Sequence, residues 1–405
     1  MGRVTRISWL FFVLFELPLQ AFVPPAQPYP ELLFFLPMVV DQQACLGSII
    51  AGAAERCIPW TQREVAGPLY LKSRQEIIIG GKSGYLQAFD LNTRTTARLK
   101  KLQGNLIAKA LEHEGTLYFG LDSGVVQAVD VATFKPLWQL SLDGGVSAPP
   151  VIYKDKLIVA SDAASIYALD LQKGTILWVA RRPYQRNISL PYFGAPLIFE
   201  MREGAAPAHF VVYGHPSGRV DFIDVNTGKI EFNVQIGIAD QSFSDVVAAP
   251  ILFNGAIIAA GFNSGIVAFD PFSKTKLWTI AEKGISRLAV VDKQIIATGP
   301  KKVIGLSGQK IRWRFEFDRG EPTSLVINRD LIYFGADGNG FFALNRFSGK
   351  PLKYLGSRVG FSGELEWSKE DDLLFATSTA GFLYVMSTRF NGNVQQKAEI
   401  ASKKN

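Results

Sequence analysis

The sequence predicts an all-β protein: an eight-bladed β-propeller with four-stranded blades, its ring closed by an N-terminal strand. Three observations carry that expectation. A strand–turn–strand unit recurs, with Asp90, Asp130 and Asp170 spaced 40 residues apart; the units share one turn signature; and the aromatic that closes a unit is followed by the apolar run that opens the next. Short strands in units of ~40 residues are the signature of a propeller, which closes as one domain however long the chain.

The best-kept unit is Ala163–Trp178, A-A-S-I-Y-A-L-D-L-Q-K-G-T-I-L-W. Small residues make a turn, Ile166–Asp170 alternates as a strand does, Asp170–Gly174 turns again, and Thr175–Trp178 starts the next strand. An Asp at a strand end accepts backbone N–H bonds from the residues after it, and Gly four positions on supplies the positive φ that completes the reversal. The closing Trp offers a flat apolar face to the neighbouring unit.

Copies of this unit run through Gly84–Asp90, Gly124–Asp130, Gly218–Asp224 and Gly265–Asp270. An aromatic stands eight residues after the Asp in four units, at Trp138, Trp178, Phe232 and Trp278. Later copies are degenerate: Val303–Leu306 leads to Trp313, Gly340–Leu344 is followed by Asn345, and Gly381–Val385 has no Asp. Counting strand pairs from Glu76, Thr116, Lys156, His209, Ala256, Gln294, Leu331 and Leu373 gives eight blades, with seven as the main alternative.

Composition suits short, buried, aromatic-rich strands: 48% hydrophobic residues, 37 Gly and 29 Phe among 405 residues. The net charge of +7 invites a nucleic-acid reading, but Lys and Arg are dispersed with no basic cluster beyond pairs such as Lys301-Lys302, which reads as solubilising surface.

Residues 1–21 read as an export signal. Arg3 and Arg6 precede the apolar run Ile7–Phe15, which Glu16 and Pro18 end too soon for a permanent membrane span. Cleavage is expected after Ala21. Residues 22–56 form a proline-rich and apolar segment, in which Leu32–Val40 is either packed on the propeller or a partner-binding strand. Cys45 and Cys57, the only cysteines, could form one disulfide in an exported protein. The alternative for Cys45 is lipid attachment, although Val40–Ala44 lacks the residues of a lipoprotein signal.

Residues 57–389 are assigned to the propeller and 390–405 to a polar tail. Trp60, followed by Pro68-Leu69-Tyr70-Leu71, repeats the pattern by which Trp138 leads to Pro150-Val151-Ile152. It is therefore expected in the outermost strand of the last blade, whose C-terminal part runs out at Ser387. Closure of this kind leaves no unpaired edge across the ring.

Two units carry insertions. Val179–Gly194 contains Arg181, Arg182, Arg186, Ile188, Leu190, Tyr192 and Phe193; Asn233–Ala249 contains Asp240 and Asp245. Both join the last strand of one blade to the first of the next, which places them on one face in nearby blades. Their aromatics either form a docking surface or fold back on the propeller.

The pattern A-x-D-x-x-x-G-x-x-x-W of Ala168–Trp178 resembles the PQQ-type repeat of eight-bladed propellers, and over Trp60–Ser387 the chain resembles the BamB family of the outer-membrane β-barrel assembly machinery, including the shortened turn Ser307-Gly308 of the sixth unit. The resemblance implies a non-enzymatic periplasmic scaffold at the inner face of the outer membrane. It implies docking on the periplasmic domains of a BamA-like protein, contact with unfolded outer-membrane clients, and an N-terminal lipid anchor. On the family's docking pattern, Ile188 and Leu190 take the two apolar positions before Ala195-Pro196 and Asp245 takes the acidic position. The family's arginine is replaced by Pro191, with Arg186 upstream.

The same repeats build quinoprotein dehydrogenases, which bind PQQ and Ca²⁺; no cofactor is expected here, because turn formation accounts for the repeated Asp residues. Asp337-Gly338-Asn339-Gly340 aligns with hairpin turns such as Asp122-Ser123-Gly124 rather than with a calcium loop. His113, His209 and His215 make neither a zinc pattern nor a catalytic triad, and no glycine-rich phosphate loop precedes a helix.

Overall fold

The computed structural model describes residues 31–37, 66–182, 194–202, 207–237, 245–357, 360–379 and 381–388. They form eight four-stranded antiparallel sheets, arranged as an eight-bladed propeller. β1 (Glu31–Pro37) stands apart in sequence from its blade. Blade 1 is β2 (Leu69–Leu71), β3 (Glu76–Gly80), β4 (Tyr85–Asp90) and β5 (Thr95–Lys101); blade 2 is β6 (Leu111–His113), β7 (Thr116–Gly120), β8 (Val125–Asp130) and β9 (Pro136–Ser141). Blade 3 is β10 (Val151–Tyr153), β11 (Lys156–Ser161), β12 (Ser165–Asp170) and β13 (Ile176–Arg181); blade 4 is β14 (Leu197–Met201), β15 (Ala208–Gly214), β16 (Arg219–Asp224) and β17 (Ile230–Gln235). Blade 5 is β18 (Ile251–Phe253), β19 (Ala256–Gly261), β20 (Gly265–Asp270) and β21 (Thr275–Ile280); blade 6 is β22 (Arg287–Val291), β23 (Gln294–Gly299), β24 (Lys302–Ser307) and β25 (Lys310–Glu316). Blade 7 is β26 (Val326–Asn328), β27 (Leu331–Gly335), β28 (Gly340–Asn345) and β29 (Pro351–Gly356); blade 8 is β30 (Phe361–Ser368), β31 (Leu373–Ser378) and β32 (Phe382–Ser387), completed by β1.

Seven of the eight expected starting residues begin the second strand of a blade; the eighth, His209, lies one residue inside β15. First strands of nearby blades approach one another, β2 with β30 and β18 with β22, so they line the axis while the fourth strands form the rim. The middle strands are buried on both faces, β19 along its whole length, which is why they read as nearly continuous apolar runs.

Burial is organised by junction. One cluster of buried side chains lies between each pair of neighbouring blades, from Leu86, Leu117 and Phe119 between blades 1 and 2 to Ile77, Phe89, Phe375 and Leu383 between blades 8 and 1. Each fully buried Leu, Ile or Phe there contributes roughly 1.5–3 kcal/mol.

Turn chemistry follows the expected logic with a variation. Asp170 accepts the amides of Gln172 and Lys173 at 3.0 and 2.7 Å, and Asp224 those of Asn226 and Thr227 at 3.0 and 2.8 Å. The residue four positions after the Asp or Asn is left-handed in six units, but it is Gly only at 174, 228 and 349; Arg94, Phe134 and Lys274 adopt the same conformation. The identity of this residue depends on what the preceding blade lays over it. Trp138, Trp178 and Trp313 stand over Gly174, Gly228 and Gly349, where a Cβ would come within 2.4, 2.7 and 2.3 Å of the indole. Over Phe134 lies the Arg98 guanidinium at 5.0 Å, and Lys274 reaches the Phe232 ring at 4.5 Å.

Ring closure by an N-terminal strand is borne out, but Trp60 does not supply that strand. The fourth strand of blade 8 is β1, which pairs antiparallel with β32 from Glu31↔Ser387 to Pro37↔Phe382. It lies within the apolar stretch of the 22–56 segment, upstream of Trp60, which itself falls outside the described residues. The physical reason is register: β32 needs a partner six to seven residues long, and E-L-L-F-F-L-P meets that need before its proline ends the pairing.

Candidate docking face

Four antiparallel strands per blade divide the loops between two faces. One face carries the connections between blades together with the hairpins joining second and third strands; the other carries the Asp turns. On the first face, the two insertions of the sequence leave from β13 and β17 and return at β14 and β18.

Arg186, Ile188, Leu190, Tyr192 and Phe193 lie outside the described residues, as do Cys45 and Cys57. The ends of the insertions are described, and they meet. Gly194 donates its amide to the carbonyl of Val247 at 2.8 Å, and a Cβ on Gly194 would stand 2.0 Å from the Ala249 nitrogen. The two connections therefore cross backbone on backbone, and glycine is the residue that permits it. Asp245 sits at this crossing with its side chain fully buried, and its carbonyl accepts the Phe262 amide at 2.9 Å. Its carboxylate is enclosed rather than displayed on the surface.

Beneath the crossing is a buried polar cluster that sequence reading missed. Arg182, the last described residue before the first insertion, donates from Nε to Asp221 Oδ2 at 2.9 Å. Burial pushes the Asp221 carboxyl above the usual carboxylate range, against the opposing pull of Arg182. His215 holds Ser217 at 2.7 Å through Nδ1, and its own carbonyl is approached by the Val246 amide at 3.4 Å. Burial, and then the charges of Arg182 and Arg219, push its imidazole from 6.5 down to about 4. Tyr213 beside it is raised by burial. Arg181 adds an exposed cation, donating to Tyr167 Oη at 2.7 Å and standing 3.3 Å from Asp143. Alternation would have placed Asp221 on a buried face of β16, but nothing local signals that its partner is Arg182 on the neighbouring blade.

The axis is crossed by ion pairs. Lys109 of blade 2 pairs with Glu366 of blade 8, which also accepts the Tyr70 amide at 3.3 Å, and Arg287 of blade 6 stands 3.7 Å from Glu364. Both axial carboxylates of β30 thus face cations. Asp337–Gly340 is the hairpin between β27 and β28, as its alignment with the other turns predicts, and Asn339 is committed to Asp318, the Arg319 carbonyl and Tyr354. His209 faces Glu200 at 3.5 Å and Tyr153, whereas His215 is in the cluster above. Among the described residues no three His, Cys, Asp or Glu side chains converge as a metal site would require, and no helix is long and apolar enough to cross a membrane.

The fold and this face define an eight-bladed propeller built from PQQ-type repeats, with two crossed inter-blade insertions above a buried ionic cluster. The family model for outer membrane protein assembly factor BamB matches residues 82–304, and the chain belongs to that family. A curated relative, the outer membrane protein assembly factor BamB of Moranella endobia (strain PCIT), is 25% identical over 170 residues, which cover 38% of this chain and 42% of the relative's length. Among solved structures, BamB from Moraxella catarrhalis superposes with a TM-score of 0.68 at 18% identity over 88% of this chain and 99% of its own. Quinohemoprotein alcohol dehydrogenase from Comamonas testosteroni gives 0.62 at 11% identity over 82% and 75%, and the computationally designed Ika8 protein gives 0.62 at 16% over 80% and 96%. These likenesses share the propeller fold.

Proposed function

We propose that this chain is a non-catalytic periplasmic scaffold of outer-membrane protein assembly, which docks on the periplasmic domains of a BamA-like protein through the face bearing the two insertions. Family membership supports the assembly role. The observation that carries the docking site is the backbone contact of Gly194 with Val247, which brings the described ends of both insertions together on one face. Ile188, Leu190, Tyr192 and Phe193 supply apolar contact, and Arg186 supplies the cation in place of the arginine lost at Pro191. Asp245 contributes from below: it is buried at the crossing, so it supports the surface rather than touching the partner. Unfolded outer-membrane clients are the second class of partner, and the protein works at the inner face of the outer membrane.

A PQQ-dependent dehydrogenase is the rival reading, favoured by the likeness to the Comamonas testosteroni enzyme. The two axial carboxylates of β30, Glu366 and Glu364, face Lys109 and Arg287, an arrangement that competes with their use as oxygen ligands for Ca²⁺. Pull-down from native membranes with tagged protein separates the readings. Recovery of a BamA-like protein by wild type and its loss with Ile188→Ala/Leu190→Ala supports the scaffold; no such recovery, with quinone absorbance after reconstitution, supports the enzyme.

A further inference from the structure

On the face that bears the insertions, but at blades 6 and 7, Phe317, Asp318, Arg319, Asn339, Phe342 and Tyr354 line an open cavity of about 390 Å³, within the range of small-ligand sites. Three elements meet there: the connection from β25 to β26, the hairpin between β27 and β28, and β29. Asn339, only 4% exposed, ties them together. Its Nδ2 donates to Asp318 Oδ1 at 2.9 Å and to the Arg319 carbonyl at 3.0 Å, and its Oδ1 accepts the Tyr354 hydroxyl at 2.8 Å. The Tyr354 ring lies against Gly340 and Gly356, where a Cβ would come within 2.7 and 3.3 Å of it, and it packs on Phe342 with centroids 4.8 Å apart. Phe317 stands 5.4 Å from Phe342 on the other side. Tyr354 is thus held firmly while 54% of it remains exposed. The repeat does not call for this ring: nine residues after the turn Asp, other units carry Leu99, Gln139, Val179, Asn233 and Thr279.

We propose that this cup binds a neutral pyranose sugar of a glycan chain. Asp318 and Arg319 are exposed neighbours of opposite charge, so neither an anion nor a cation gains net attraction at the mouth. Side by side they offer an acceptor and a donor, which matches vicinal hydroxyls, since each hydroxyl both donates and accepts. The Tyr354 and Phe317 rings supply flat apolar surface for the C–H face of a sugar ring. Because Asn339 and the two glycines fix the tyrosine beforehand, little side-chain freedom is lost on binding. The insertions leave from blades 3 and 4, so this site is separate from the proposed docking surface.

The test is saturation-transfer NMR on the full mature chain with two soluble probes, chitotetraose and maltotetraose, which distinguish an amino-sugar glycan from a plain glucan. At least one should receive saturation, strongest on its ring C–H protons, and Arg319→Ala and Tyr354→Leu should each weaken its affinity at least about tenfold. Arg319 joins the Asn339 network through its carbonyl, so Arg319→Ala keeps the cup and should leave the thermal unfolding midpoint unchanged. Absence of saturation on both sugars overturns the proposal. So does transfer that survives unchanged in both variants, and so does a stronger response from N-acetylphenylalanine amide, which would mark the cup as a site for an aromatic side chain.

Discussion

The indole of Trp178 lies over Gly228 of the next blade and donates its Nε1 hydrogen to the carbonyl of Val225 at 3.0 Å. The same pairing recurs at Trp138 with Leu171 and at Trp313 with Arg346, at 3.1 and 2.7 Å. In each case the carbonyl belongs to the residue after the turn Asp or Asn, and the glycine three residues further on makes room for the ring. The repeat signature is thus one half of a joint: D-x-x-x-G receives the tryptophan of the blade before it.

Gly228→Ala should destabilise the fold by about 2–4 kcal/mol, combining the left-handed backbone with overpacking against the indole. In a Trp178→Ala background the same change should cost about 1–2 kcal/mol, because only the backbone cost remains. Denaturant titration of the four proteins measures this coupling. Equal costs in both backgrounds would mean that the glycine serves the turn alone.

Arg98 takes the tryptophan's place in blade 1. It donates to both oxygens of the nearly buried Glu76, at 2.8 and 2.5 Å, while facing Phe134. Arg98→Ala should cost roughly 1–3 kcal/mol, because Arg74 still donates to Glu76 at 2.8 Å and keeps its buried charge paired. The Arg98 hydrogen bonds, opposed by burial, hold the Glu76 carboxyl below its ordinary 4.5. Its folded value is depressed, so its contribution is present above 4.5 and is lost as pH falls through the folded value. Arg98→Ala should therefore lessen the acid sensitivity of the blade 1 core, read by hydrogen exchange.

His215 gives a second pH signature. Its folded value, about 4, lies below the ordinary 6.5, so the unfolded chain takes the proton first. Stability from this group is full above pH 6.5 and declines by roughly 3 kcal/mol as pH falls to 4. Asp221, raised by burial, acts in the opposite sense and favours the folded state as pH falls. His215→Gln should flatten the decline in urea titrations run across this range.

The axial pair Lys109–Glu366 joins blades 2 and 8 across blade 1, with both side chains about four-fifths buried. A double-mutant cycle with Lys109→Met and Glu366→Gln should give a coupling of about 1–3 kcal/mol that persists in high salt.

Strand positions and turn chemistry were legible because each is written locally. Asp170 and Gly174 are four residues apart, and seven of the eight second strands start at the residue expected from the repeat. What was not legible depends on contacts distant in sequence. Trp178 and Val225 are 47 residues apart, Arg182 and Asp221 are 39, and no periodicity states which residue meets which. Phe134 and Lys274 stand where the best-kept unit has glycine, and the structure explains them by Arg98 and Phe232 in the preceding blades. The closing strand was misplaced to Trp60 because E-L-L-F-F-L-P lacks both alternation and the Asp turn. Its pairing with β32 spans almost the whole chain.

The central claim is that the crossed insertions form a docking surface for the periplasmic domains of a BamA-like protein. Its most direct test is the affinity of the purified mature protein for those domains, compared with Ile188→Ala/Leu190→Ala at matched melting temperature. The account predicts binding by wild type and a loss of at least about tenfold in the variant, the effect of about 1.4 kcal/mol from truncated apolar anchors. Binding that is unchanged in the variant, or absent in the folded wild type, would contradict it.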